Sequence, residues 1–172
     1  MTPLIDFADQ ALINFLEHDF VPPSHHGFRW INIKRFRIPA APADERLLST
    51  LIDDGQFEDG YIGGGADPGS GVHGPYHLGR ITPAAYQAVD VDTAIGELDT
   101  WARQLGALPP TLADVLEEEV YAPIRRAGSR YRLAELGQDA MHDLGFIPAE
   151  FHEIVIVAPE VHLLTLIVAA DD

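Results

Sequence analysis

Cysteine is absent from the 172-residue chain, which removes disulfides, thiolate metal sites, a cysteine nucleophile and thiol redox chemistry together. Only histidine and carboxylate side chains remain as strong metal ligands. Basic residues are scarce as well: 11 Lys and Arg stand against 27 Asp and Glu, giving a formal net charge of −16 and a pI near 4.6. A field of that sign repels nucleic-acid backbones and anionic membranes and steers basic partners inward. Nucleic-acid binding is therefore not expected, whereas a basic protein partner is.

Long apolar runs are lacking too. The best candidate, EIVIVAPEVHLLTLIVAA, is interrupted by Glu153, Pro159, Glu160 and His162, short of the roughly 20 apolar residues a membrane helix needs. The opening stretch, MTPLIDFADQALINFLEHDF, has no positive n-region and carries acids through its apolar pattern, so it does not read as a secretory signal. A cytoplasmic location is expected. Ten of the 11 basic residues are arginine, and with abundant Ala, Gly and Pro this reads as the usage of a GC-rich bacterial genome.

A hydrophobic content of 47% with 22% charged residues fits one folded domain over residues 1–172 rather than a disordered chain. Thr2 and Pro3 read as cap and first residue of a helix carrying Leu4, Ala8, Ala11, Leu12, Phe15 and Leu16 at helical spacing. FRWINIKRFRI follows as a strand, with Trp30, Phe36 and Ile38 on one face and Ile31 and Ile33 on the other. Leu47, Leu48, Leu51 and Ile52 mark a short helix closed before Gly55. Thr82-Pro83 opens another short helix through AAYQAV. Asp90 or Asp92 caps one with Ile95, Leu98, Ala102 and Leu105 in a stripe, ended at Gly106. Thr111 with Asp114 resembles a capping box for LADVLEEEVYA, which Pro123 breaks or restarts. RRAGSRYR reads as a basic linker, and Leu133, Leu136, Ala140 and Leu144 as a last helix stopped by Gly145.

The chain closes on two β-rich runs around APE, a hairpin signal. A two-residue turn between Ala158 and Val161 would set Ile156 opposite Leu163 and Val155 opposite Leu164. Both faces of these strands are apolar and need cover, from the chain or from a second copy, so a homodimer through the hairpin is plausible. The expected fold is α+β: a small sheet of one early strand plus the C-terminal β-hairpin, with about five to six helices.

The segment YIGGGADPGSGVHGPYH, inside a Gly-rich loop at about residues 56–80, is the main candidate for function. It matches neither G-x-G-x-x-G after a strand nor G-x-x-x-x-G-K-[ST] before a helix, and Asp67 would repel phosphate, so no nucleotide cofactor is expected. The plain reading is a mobile surface loop; the functional one is a lid or a partner-binding loop. His73 and His77 are four apart, but Gly74 and Pro75 between them preclude a helical ligand pair. A metal site for Zn, Ni, Fe or Mn would have to draw on His73, His77, Asp67, His25 and His26 through loop geometry. His152 and His162 read as core or interface histidines, and His18 and His142 carry no partner signal. No strand-to-helix context surrounds Ser24, Ser49, Ser70 or Ser129, so acyl transfer is not expected and no catalytic residue is assigned.

Arg29, Lys34, Arg35 and Arg37 fall in one short segment, and Arg125, Arg126, Arg130 and Arg132 in another. These could form an anion pocket, but pairing with the surplus carboxylates is the simpler expectation. The leading functional expectation is a non-enzymatic bacterial protein acting by protein–protein interaction, as an immunity-type or inhibitory partner of a basic protein. The alternative is a small enzyme, metal-dependent in one form, with a pocket between the Gly-rich loop and PPSHHG. A third is an apolar pocket lined by Trp30, Phe36 and Tyr76.

Overall fold

The structure is a computed structural model that describes residues 3–39 and 42–172. Its centre is a six-stranded antiparallel sheet in the order β1-β2-β8-β7-β6-β5, built from β1 (Asp6–Asn14), β2 (Arg29–Arg37), β5 (Tyr86–Ala88), β6 (Ser129–Leu133), β7 (Phe151–Ala158) and β8 (Leu163–Asp171). Two short strands, β3 (Val72–His73) and β4 (Tyr76–His77), pair separately. Three helices accompany them among the described residues: α1 (Asp44–Ile52), α2 (Val91–Ala102), and a third formed by α3 (Pro110–Leu116), a π turn (Glu117–Tyr121) and α4 (Ala122–Arg126). The expected small sheet with five to six helices is thus overturned, because three segments read as helices, and one read as a linker, are strands or irregular backbone.

The first is β1, read above as a helix with Thr2 as its cap; Thr2 lies outside the described residues. β1 pairs with β2, but the register slips between Phe7 and Asp9, leaving Ala8 as an extra residue. That bulge flips the side-chain alternation: Phe7 packs with Phe36 on one face, Ala11 and Ile13 with Ile31 and Ile33 on the other. A period of two with a one-residue insertion leaves apolar positions three and four apart, which imitates a helix.

The second is the AAYQAV segment, where a single 3-10 turn (Pro83–Ala85) gives way to β5. Its partner β6 is the segment read as a basic linker, and Tyr86 stands opposite Leu133. The third is the supposed last helix. Leu133 ends β6, Gly137 adopts φ +83°, and only Gln138–Ala140 forms a 3-10 turn. Of the two readings of Pro123, the restart holds: it lies in the first turn of α4, which continues from the π turn without a break in the chain's helical path. The wide π turn places the Ala122 N–H on the Glu117 carbonyl and accommodates the bond that Pro123 cannot donate.

Several local expectations do match. Asp90 caps α2 by accepting from the Thr93 N–H, and Leu47, Leu48, Leu51 and Ile52 of α1 are all buried, each contributing roughly 1.5–3 kcal/mol. The terminal strands form a hairpin, but through a 3-10 turn (Pro159–Val161) and a left-handed His162. This sets Val155 opposite Leu166 and Ile156 opposite Thr165, two residues from the expected register and so with faces unchanged.

Alternation divides the core in two. Trp30, Phe36, Val155, Val157, Leu164 and Leu166 point to the face covered by α1 and the Gly-rich segment. Ile31, Ile33, Ile154, Ile156 and Ile167 point to the face covered by α2, α3 and α4. The chain itself therefore supplies the cover that the apolar hairpin needs, and its composition does not require a second copy.

Candidate functional site

β2 carries Trp30, Asn32, Lys34 and Phe36 on the α1 face, and Lys34 is fully buried there. A charge in that position needs a partner. Lys34 Nζ donates to Asp59 Oδ2 at 2.7 Å and to the Gln56 carbonyl at 2.7 Å, and it lies 4.9 Å above the Tyr61 ring. Asp59 Oδ1 in turn accepts from the Tyr61 N–H at 2.8 Å. The ion pair ties the start of the Gly-rich segment to the sheet.

A second buried pair ties its end. His73 Nδ1 meets the Phe57 carbonyl at 2.6 Å, and its Nε2 meets Glu153 Oε1. A carbonyl only accepts, so Nδ1 carries a hydrogen, and His73 and Glu153 share a further proton between them. The Tyr86 hydroxyl donates to the other Glu153 oxygen. His73, Glu153 and Tyr86 are 0%, 1% and 7% exposed. The His73 ring also stacks flat on Phe57, with centroids 3.6 Å apart. Burial, followed by the Glu153 charge and hydrogen bond, pushes the Tyr86 phenol well above its ordinary range. Burial, followed by Asp59 and Glu153, does the same to Tyr61, whose hydroxyl has no hydrogen-bond partner. Glu153, His73 and the Tyr86 phenol are thus buried and hydrogen-bonded to one another, with the Tyr61 ring beside them, and their role in this geometry is to hold the loop down.

Between the two anchors the tip from Ile62 to Gly71 is exposed apart from Ala66, with Glu58 Oε2 accepting from the Gly69 and Gly71 N–H groups. The tip roofs a cavity of about 480 Å³. Its floor is the β1–β2 pair, where Asn14 stands opposite Trp30 and Leu12 opposite Asn32. Tyr61 stacks on Trp30 at 5.7 Å to make one wall, and Asp59, Ile62 and Asp172 also line the space. The Trp30 indole N–H donates to Asp172 Oδ1 at 3.0 Å. Among the described residues the lining holds no Lys, Arg or His. A cavity of this size and mixed polarity suits a side chain or a small ligand.

The candidate metal ligands are not brought together. His73 is used as above, His77 is exposed with its ring 6.2 Å from that of His142, and Asp67 is exposed on the tip. His25 and His26 stand at the far end of α2, where the His25 N–H donates to the Leu105 carbonyl and His26 Nδ1 accepts from the Phe28 N–H. Among the described residues no three His or carboxylate side chains are grouped as a metal site. The cavity is lined by none of PPSHHG, so the pocket expected there is displaced to the β1–β2 edge. Phe36 and Tyr76 are core residues, and only Trp30 of the suggested apolar trio reaches the cavity. A second, smaller hollow of about 270 Å³ lies against Tyr76, Met141 and His152.

Most of the clustered arginines are consumed within the fold. Arg35 bridges Asp9 and Glu119 at 2.7 Å each, and Arg29 bonds the Trp101 carbonyl and Gln104. Arg130 donates to the carbonyls of Ile124, Arg125 and Ala127 at the end of α4. Arg125 pairs with Glu117, and Arg132 reaches Glu97.

Sequence reasoning did not single out Asp59, Tyr61, Tyr86 or Glu153, and it placed Lys34 only in a basic cluster expected to pair with the surplus carboxylates, as Lys34 does with Asp59. A signal was present for two of them. The alternation that groups Trp30 with Phe36 also puts Lys34 on that apolar face, and Glu153 shares a face with Val155 and Val157. A charge in register with buried residues calls for a buried partner. Comparison with family models, curated proteins and solved structures found no match.

Proposed function

We propose that this chain is a non-enzymatic binding protein that engages a basic protein partner, in the manner of an inhibitory or immunity-type protein. One observation carries the reading, which is where the charges lie. The 27 acidic residues outnumber the basic ones by 16, and Lys34, Arg29, Arg35 and Arg130 are engaged inside the fold. The outer surface is thus left with a strongly negative field, which accelerates encounter with a basic partner and selects against acidic ones. The buried acid–base group supports the same reading, since His73 and Glu153 are closed to any substrate.

The test is affinity capture from cells at low and at high salt, identification of the partner, and reconstitution with that purified protein. The expected partner has a pI above about 9, and its affinity falls about tenfold or more from low salt to roughly 0.3 M NaCl. Recovery of only neutral or acidic proteins, or a reconstituted affinity indifferent to salt, refutes the proposal.

A further inference from the structure

The cavity under the Gly-rich tip has a chemical preference of its own. Among the described residues its carboxylates are Asp59 and Asp172, its neutral polar groups include Gln10, Asn14 and Asn32, and no cationic side chain lines it. Lys34 pairs with Asp59 from behind, and Asn14 Oδ1 is taken by the Leu16 N–H and Asp172 Oδ1 by the Trp30 indole N–H. This leaves the second Asp172 oxygen and the Gln10 amide as acceptors of the lining under the −16 field of the whole protein. At the mouth, Leu12 and Ile62 are 59% and 41% exposed, apolar surface beside acceptor groups. The roof includes Gly63 and Gly65, both with positive φ, and a Cβ on either would meet nothing within 4 Å. A bare backbone therefore rims the opening and leaves it unobstructed.

We infer that this cavity is the docking site for the partner, and that it takes an arginine or lysine side chain from an amphipathic basic segment. The inference rests on the proposed function and names the surface that performs it. The methylene stem of such a side chain packs on Leu12, Ile62 and the Trp30 edge, while its cationic head meets Asp172 and the Gln10 amide. A cationic anchor seated in a cavity and flanked by apolar contacts is the arrangement that concentrates binding energy in protein interfaces.

The probes are three blocked hexapeptides alternating Leu with Arg, Gln or Glu, titrated by calorimetry at about 20 mM NaCl, where screening is weak. The Trp30 indole N–H resonance is followed alongside. The Arg peptide binds saturably and about tenfold or more tighter than the Gln peptide, and it shifts the Trp30 resonance. Leu12→Lys and Asp114→Asn change the net charge by the same amount, the first in the cavity and the second on exposed α3. Leu12→Lys weakens the Arg peptide by about tenfold and Asp114→Asn by less than about twofold. Ile62→Lys replaces the first variant if that one does not fold. Equal losses in the two variants, or a Trp30 resonance that does not move, overturn the site while the charge-based reading stands. An Arg peptide that binds no tighter than the Gln peptide overturns both.

Discussion

Replacing Lys34 by methionine keeps the length of the side chain and removes only its charged head. Asp59, 2% exposed, would then keep the Tyr61 N–H at 2.8 Å as its one hydrogen bond, with no cation beside its other oxygen. The Gln56 carbonyl would lose its Lys34 donor as well. Removing one member of a buried pair costs about 3–5 kcal/mol, because the remaining charge is desolvated without compensation. At roughly 2–4 °C per kcal/mol for a chain of this size, Lys34→Met lowers Tm by about 6–20 °C. The double variant Lys34→Met, Asp59→Asn removes both charges while the asparagine carbonyl can still accept from the Tyr61 N–H. It is expected to recover to within about 1.5 kcal/mol of wild type, the signature of strong coupling in a double-mutant cycle. Urea unfolding of the four proteins measures all the terms. A loss below about 1 kcal/mol in the single variant, or a double variant as unstable as the sum of the singles, refutes the claim that this pair anchors the loop.

Three further outcomes follow from the same geometry. Tyr86→Phe leaves a Glu153 oxygen without its donor and costs about 1–3 kcal/mol, whereas Tyr61→Phe removes a buried hydroxyl that has no partner and changes stability by less than about 0.5 kcal/mol; chemical denaturation ranks the two. Gly74→Ala places a Cβ 2.4 Å from the Phe151 ring at φ +53° and costs more than about 2 kcal/mol, while Gly64→Ala meets nothing within 4 Å and costs about 1 kcal/mol for its positive φ alone; similar losses in both would mean that the turn against Phe151 is not packed as described. His152 has a raised pKa: burial opposes its charge, but hydrogen bonds to Glu97 at 2.9 Å and Glu150 at 3.1 Å, and their charges, outweigh it. A raised folded pKa gives stabilisation that is fully present below the unfolded value of about 6.5 and is lost as pH rises through the folded value. The Tm advantage of wild type over His152→Gln therefore shrinks from pH 5.5 to pH 8.5 (about the range spanning that titration), and an advantage that grows with pH contradicts the assignment.

Local chemistry was legible wherever one residue or one short-range contact decides the outcome. Asp90 as a cap, the four-residue apolar face of α1, the two faces of β2 and the closing hairpin all depend on neighbours within a few positions in the chain. The net charge, the absence of thiol chemistry and the lack of a phosphate-loop spacing are likewise properties of the residue list itself. Tertiary structure decided the rest. A one-residue bulge in β1 turned a strand into an apparent helix, and the edges of β6 and β2 recruited β5 and β1, which local propensity alone does not specify. The Gly-rich segment shows the same division: its lack of periodicity said loop, but only long-range partners, Lys34 from β2 and Glu153 from β7, made that loop a pinned roof over a cavity. Burial creates that demand for partners, and burial is a property of the assembled layers rather than of any stretch of sequence.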